Sequence, residues 1–130
     1  MSQAKAILLI DDEPSIGDAL TIVLNDHGYR VVLALNGRDG VEMADRERFS
    51  VVITDLRLPD ISGLDVLRHV KIKSPDRPVI IITAHITPEL IVEAKSLGAI
   101  EVLAKPFFPS DILSLIETAS TADEIEEQIG

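Results

Sequence analysis

Five short apolar runs alternate with five stretches of helical period, and this alternation leaves the chain very few architectures. Residues 6–10 (AILLI) are a continuous run of large apolar side chains closed by Asp11 and Asp12, the pattern of a strand buried on both faces. The period then changes. Pro14 suits the first turn of a helix, and Ile16, Ala19, Leu20, Val23 and Leu24 fall on one face before Gly28. Residues 29–35 return to strand character, Asn36-Gly37 reads as a turn, and residues 40–47 as a short helix with Val41, Met43 and Ala44 inward. Residues 51–54 form a third buried run, halted by Asp55. A loop over 56–63 follows, then a helix marked by Leu64, Leu67 and Val70. Pro78 leads into a strand over 79–83, and Pro88 opens a helix carrying Leu90, Ile91, Ala94 and Leu97 that stops at Gly98. Residues 101–104 are the fifth strand. After a turn at Lys105-Pro106, a helix over 110–119 has Ile112, Leu113 and Ile116 inward, Ser110 as its cap and Asp111 in its first turn.

Strands buried on both faces and separated by helices require a parallel sheet covered on both sides, and right-handed crossovers restrict it to a doubly wound α/β sheet. A chain of 130 residues with 46% apolar residues suffices for one compact domain. The boundary falls near residue 120, with 121–130 an acidic tail that is either a helix extension or the start of a linker. A formal charge of -10 argues against direct nucleic-acid binding, which needs concentrated Lys and Arg. The apolar runs are too short to span a membrane, and the opening residues lack the pattern of a signal peptide. With no cysteine there is no disulfide framework and no thiolate metal site, as suits a reducing compartment.

In open parallel sheets ligands bind beyond the carboxyl ends of the strands. That rule gathers Asp11 and Asp12 after strand one, Asp55 after strand three, Thr83 at the end of strand four and Lys105 after strand five. Three neighbouring carboxylates cost energy unless a cation or a proton intervenes, and an all-oxygen donor set suits Mg2+. A carboxylate can accept a phosphoryl group, and Asp55, alone at its strand end, is the better nucleophile, leaving Asp11 and Asp12 to hold the metal. Lys105 would pair with Asp55 and then with phosphate, and Thr83 would donate its hydroxyl to the same phosphate. Each residue also has a plainer role: Asp12 as a cap for the helix at Pro14, Thr83 satisfying backbone groups, Lys105 as a loop charge. The coincidence of suitable groups on four strand ends weighs against those roles.

The fragments ILLIDDEP, VVITDLRLPDISGLDVL, PVIIITA and GAIEVLAKPF, in this order and spacing, resemble the receiver domain of two-component response regulators over residues 5–120. The resemblance implies a flavodoxin-like five-stranded sheet of order 2-1-3-4-5. It implies Asp55 as phosphoacceptor, supplied by a sensor histidine kinase or a histidine phosphotransfer protein. It implies Mg2+, with Mn2+ able to substitute, held by Asp11, Asp12, Asp55 and the backbone carbonyl of Arg57. Thr83 and Lys105 match the phosphate-sensing hydroxyl and lysine, and Lys105-Pro106 matches a peptide that is typically cis. The expected behaviour is a cytoplasmic signalling switch that catalyses its own phosphorylation and Mg-dependent dephosphorylation without being a turnover enzyme. Output would pass to an attached domain or a second receiver through the face of helix four, strand five and helix five. One departure stands out: Val102 replaces the aromatic residue usual three positions before the lysine.

A phosphorylation-independent interaction module of the same fold is the alternative reading. A dinucleotide or flavin protein is disfavoured because DDEPSIG follows strand one where a glycine-rich phosphate cradle belongs. A haloacid-dehalogenase-like phosphatase is disfavoured because Arg57 stands where its second carboxylate would be. His27 and His69 read as capping or surface residues, whereas His85 sits beside the proposed pocket, where it would tune access or hydrolysis.

Overall fold

The computed structural model describes the backbone of residues 5–129 and side chains through residue 119. The elements alternate without exception: β1 (Lys5–Ile10), α1 (Pro14–Asn25), β2 (Tyr29–Ala34), α2 (Gly37–Arg46), β3 (Val51–Asp55), α3 (Gly63–Lys73), β4 (Val79–Thr83), α4 (Pro88–Ser96), β5 (Glu101–Ala104) and α5 (Pro109–Ile129). All strand pairs are parallel and the sheet order is β2-β1-β3-β4-β5. The chain therefore winds one way from β1 to β2 and the other way from β1 to β3, which opens a crevice between the carboxyl ends of β1 and β3.

Alternate residues of each central strand enter opposite cores. Ile7, Leu9, Ile53, Ile80 and Ile82 pack with Leu20 and Leu24 of α1 and Ile112 and Ile116 of α5. Leu8, Ile10, Val52, Val79 and Ile81 pack with Val66, Leu67 and Val70 of α3, Ala94 of α4 and the partly buried side of α2. Three layers result, and the continuous apolar runs are the price of covering the sheet on both faces.

Several helix starts differ from the sequence expectation. α2 begins at Gly37 rather than residue 40, because Asn36 is its N-cap and accepts the Asp39 amide at 2.8 Å; the pair is a helix start rather than a plain turn. The N-cap of α1 is Glu13, not Asp12, and no side chain caps it. α5 starts at Pro109, so Ser110 lies inside the first turn, while Asp111 accepts the Phe108 amide at 3.0 Å. Asp55 is the last residue of β3 rather than the first after it. Ala19, expected inward, is exposed on the wall of a cleft between α1 and the segment following β5. Ser62 and Asp65 form a capping box on α3, and Thr87 caps α4 through the Leu90 amide.

Candidate metal and phosphoryl site

The register of the sheet fixes which polar groups meet. Ile10 is level with Thr54, so Asp11 and Asp55 leave neighbouring strands at the same height. Asp55 is level with Ile82, one residue short of Thr83, and Thr83 is level with Ala104, one residue short of Lys105. The cleft formed there, about 260 Å3, is lined by Asp12, Glu13, Asp55, Arg57, Thr83, Ala84, His85 and Lys105.

Asp11 is fully buried; its Oδ1 accepts the Glu13 amide at 2.9 Å and its own amide bonds Ala34 O. Lys105 Nζ stands 2.9 Å from Asp11 Oδ2 and 2.9 Å from Asp55 Oδ2. Only the contact to Asp55 has hydrogen-bond geometry, which leaves Asp11 Oδ2 a buried oxygen without a hydrogen-bond partner. Burial raises the Asp11 carboxyl above its ordinary pKa, and the contacts with Lys105 and the Glu13 amide offset this only in part. Burial alone would lower the Lys105 pKa, but the two carboxylates outweigh it and hold the ammonium above its usual value.

Asp11, Asp12 and Asp55 each present a carboxylate oxygen within 4.8 Å of the other two. Three carboxylates against one ammonium leave two negative charges over, which a divalent cation would balance. The buried Asp11 oxygen, ion-paired with Lys105 but without a hydrogen bond, and the all-oxygen donor set fit a hard cation, so this cluster can hold a metal. Asp55 Oδ1 carries a long 3.3 Å bond from the Arg57 amide, and Oδ2 is held by Lys105. The Thr83 hydroxyl accepts the His85 amide at 3.2 Å, and His85 itself is exposed on the cleft wall.

The sequence thus brought together residues that the fold does place in one cleft: Asp12, Asp55, Arg57, Thr83, His85 and Lys105, with Asp11 beneath them. Val102 is elsewhere, buried on the α4 side of the sheet with Ala94 and Ala99. The Lys105-Pro106 peptide is cis. His27 is exposed and meets Val23 O at 3.0 Å, and His69 bridges to Asp45 of α2 at 3.1 Å, so neither approaches the cleft. Two residues escaped the sequence reading. Glu13 lines the cleft, a position the DDE run signalled. Asp60 ties the loop after β3 to α2 and has no local sequence signal for that tie, because its α2 partners lie more than 20 residues away.

A doubly wound sheet with an acidic cluster and a lysine at its switch point suits the handling of a phosphoryl group. The model of the response regulator receiver domain matches residues 7–117, and the chain belongs to that family. The response regulator protein PilR of Pseudomonas aeruginosa is 37% identical over 119 residues, covering 92% of this chain and 26% of that protein. Sporulation initiation phosphotransferase F of Bacillus subtilis is 33% identical over 111 residues, covering 85% of this chain and 90% of the relative. A crystal structure of a Burkholderia pseudomallei response regulator with a phosphorylated aspartic acid and a calcium ion superposes with a TM-score of 0.81 at 30% identity. That match covers 96% of this chain and 74% of the other. The chain thus spans about a quarter of PilR but most of the phosphotransferase. It is a phosphorylation-activated signalling receiver of two-component systems. Among the described residues no helix is long and apolar enough to cross a membrane.

Proposed function

We propose that Asp55 is the phosphoacceptor and that Asp11, Asp12, Asp55 and the Arg57 carbonyl hold Mg2+, with Mn2+ able to substitute. The observation that carries this reading is Lys105 Nζ set 2.9 Å from both Asp11 and Asp55 beside a three-carboxylate cluster. A carboxylate oxygen of Asp55 attacks the phosphorus of a phosphohistidine; the P–N bond breaks and the imidazole nitrogen leaves with the electron pair and takes up a proton. Bound Mg2+ supplies charge neutralisation for the incoming phosphoryl oxygens. Lys105 moves from pairing Asp55 to pairing a phosphoryl oxygen, and Thr83 donates its hydroxyl to another. The reverse arm is hydrolysis: water attacks phosphorus, the P–O bond to Asp55 breaks and orthophosphate departs. His85, on the cleft wall, would tune that step through access.

The donor is a sensor histidine kinase or a histidine phosphotransfer protein in the cytoplasm. The receiver occupies 1–120, and the backbone of 121–129 extends α5 beyond it. The face of α4, β5 and α5 is the candidate output or dimer surface. The test is incubation with Mg2+ and phosphoramidate, followed by intact mass and a solution spectrum, for wild type and Asp55→Asn. One labile phosphoryl adduct on wild type and none on the variant is expected. No adduct on wild type defeats the assignment, and an adduct that leaves the spectrum and partner binding unchanged marks a phosphate sink instead of a switch.

A further inference from the structure

The loop between β3 and α3 carries Arg57, and it is closed on itself. The Gly63 amide bonds Leu56 O at 2.8 Å, and Arg57 and Ser62 form an antiparallel bridge across its base. Its tip is tied to a different element. Asp60 Oδ1 accepts the Gly37 amide at 2.8 Å and Oδ2 accepts the Arg38 amide at 2.9 Å, so one carboxylate takes two of the amides that the first turn of α2 cannot pair internally. Oδ1 also accepts the Ile61 amide at 2.8 Å, and the Arg38 guanidinium lies 4.0 Å from Oδ2. The contact is tight as well as polar. A Cβ on Gly37 would stand 2.3 Å from Ile61 Cγ1, so the loop tip lies against backbone that has no room for a side chain. Asp60 is slightly desolvated, but the amides of Arg38, Gly37 and Ile61 outweigh that and hold its carboxyl below the ordinary value, favouring the anion that makes these bonds.

We propose that Asp60 is a positioning residue for the metal site: it clamps the loop bearing Arg57 to the N-terminus of α2, so that metal affinity depends on the clamp and α2 responds to the metal. The inference rests on the Mg2+ reading given above. The physical route is short. Arg57 pairs with Ser62 at the base of this short loop, three residues before Asp60, so freeing the tip loosens that bridge, widens the range of positions open to the Arg57 carbonyl and weakens its contribution as a ligand. Coupling is reciprocal, so metal binding must in turn be felt at the amides of Gly37 and Arg38.

The test titrates Mg2+ into metal-free wild type, Asp60→Ala and Asp60→Asn, by calorimetry and by the amide resonances of residues 37 and 38. Phosphoramidate phosphorylation is followed against Mg2+ in parallel. Asp60→Ala is expected to raise the Mg2+ dissociation constant about tenfold, the scale of losing a partner that orients a ligand. Half-maximal phosphorylation should shift to higher Mg2+ by the same factor, with the rate at saturating Mg2+ reduced less than twofold. Asp60→Asn, which keeps one acceptor oxygen, should fall between. In wild type the Gly37 and Arg38 resonances should move with Mg2+ and in Asp60→Ala they should not. If wild type binds Mg2+ and both variants bind it within twofold, Asp60 merely caps α2 and the proposal fails, whatever the melting temperatures. If wild type binds no Mg2+, the metal reading itself falls and the proposal with it. Should Asp60→Ala not fold, Asp60→Asn decides alone by the same criteria.

Discussion

Lys105 stands 2.9 Å from both buried carboxylates described above, and its partners dictate its titration. Asp11 and Asp55 outweigh its desolvation and raise its pKa above the ordinary 10.5. A cation protonated more firmly when folded than when unfolded contributes stability that is fully present below 10.5 and is lost as pH rises through the raised folded value. In metal-free protein, Lys105→Met should therefore show a shallower loss of stability than wild type above that pH, read from urea midpoints; equal slopes would refute the pairing. Asp12 makes the converse case. It is exposed and crowded by two other carboxylates, so Asp12→Asn should be more stable than wild type in EDTA. Wild type at about a hundredfold excess of Mg2+ over its Kd should gain about 2.7 kcal/mol, and the variant should keep less than half of that gain. Urea unfolding with and without Mg2+ measures both.

At the level of elements, two glycines predict opposite outcomes from one kind of substitution. Gly63 opens α3 against β3, and a Cβ there would lie 2.3 Å from the backbone oxygen of Asp55, which cannot give way. Gly63→Ala should cost about 3 kcal/mol by urea unfolding. Gly17 lies inside α1, where a Cβ would meet Leu33 Cδ2 at 3.4 Å, an ordinary contact. Gly17→Ala should therefore gain about 0.5 to 1 kcal/mol from helix propensity. Neither sign can be read from the sequence, where both are simply glycines near helix ends. What was legible there had a local cause. Continuous apolar runs marked strands buried on both faces, and the polar residues that stopped them marked the site. What was not legible was set from a distance. α2 begins at Gly37, a poor helix former, because Asn36 caps it locally and Asp60 satisfies its first amides across the fold. Asp12 looked like the cap of α1, yet it is the backbone of Glu13 that turns toward Asp11.

Across the whole molecule the question is how a phosphoryl group at one edge of the sheet alters a distant face. Val102 is level with Ile81, deep in the β4–β5 pair, and packs beneath α4 with Ala94 and Ala99. It has no aromatic ring, and its branched Cβ restricts χ1. The segment from Ala84 to Thr87 is different. It is exposed, and it is tied to the site by the bond from the His85 amide to the Thr83 hydroxyl. If Thr83 turns its hydroxyl to a phosphoryl group on Asp55, this segment must follow and carry the Thr87 cap of α4 with it. The expected signature is several-fold slower amide hydrogen exchange over residues 84–87 in the phosphorylated protein. Val102→Ala should cost about 2 kcal/mol of stability through the lost methyl groups and yet retain that slowing. Thr83→Ala should accept phosphate and lose it. If Val102→Ala abolishes the slowing while still taking up phosphate, the signal runs through β5 and the backbone route from Thr83 to α4 is wrong. If it survives, a buried valine suffices at this position because the moving part is the loop, and the packed face beneath α4 serves as the rigid surface against which that loop moves.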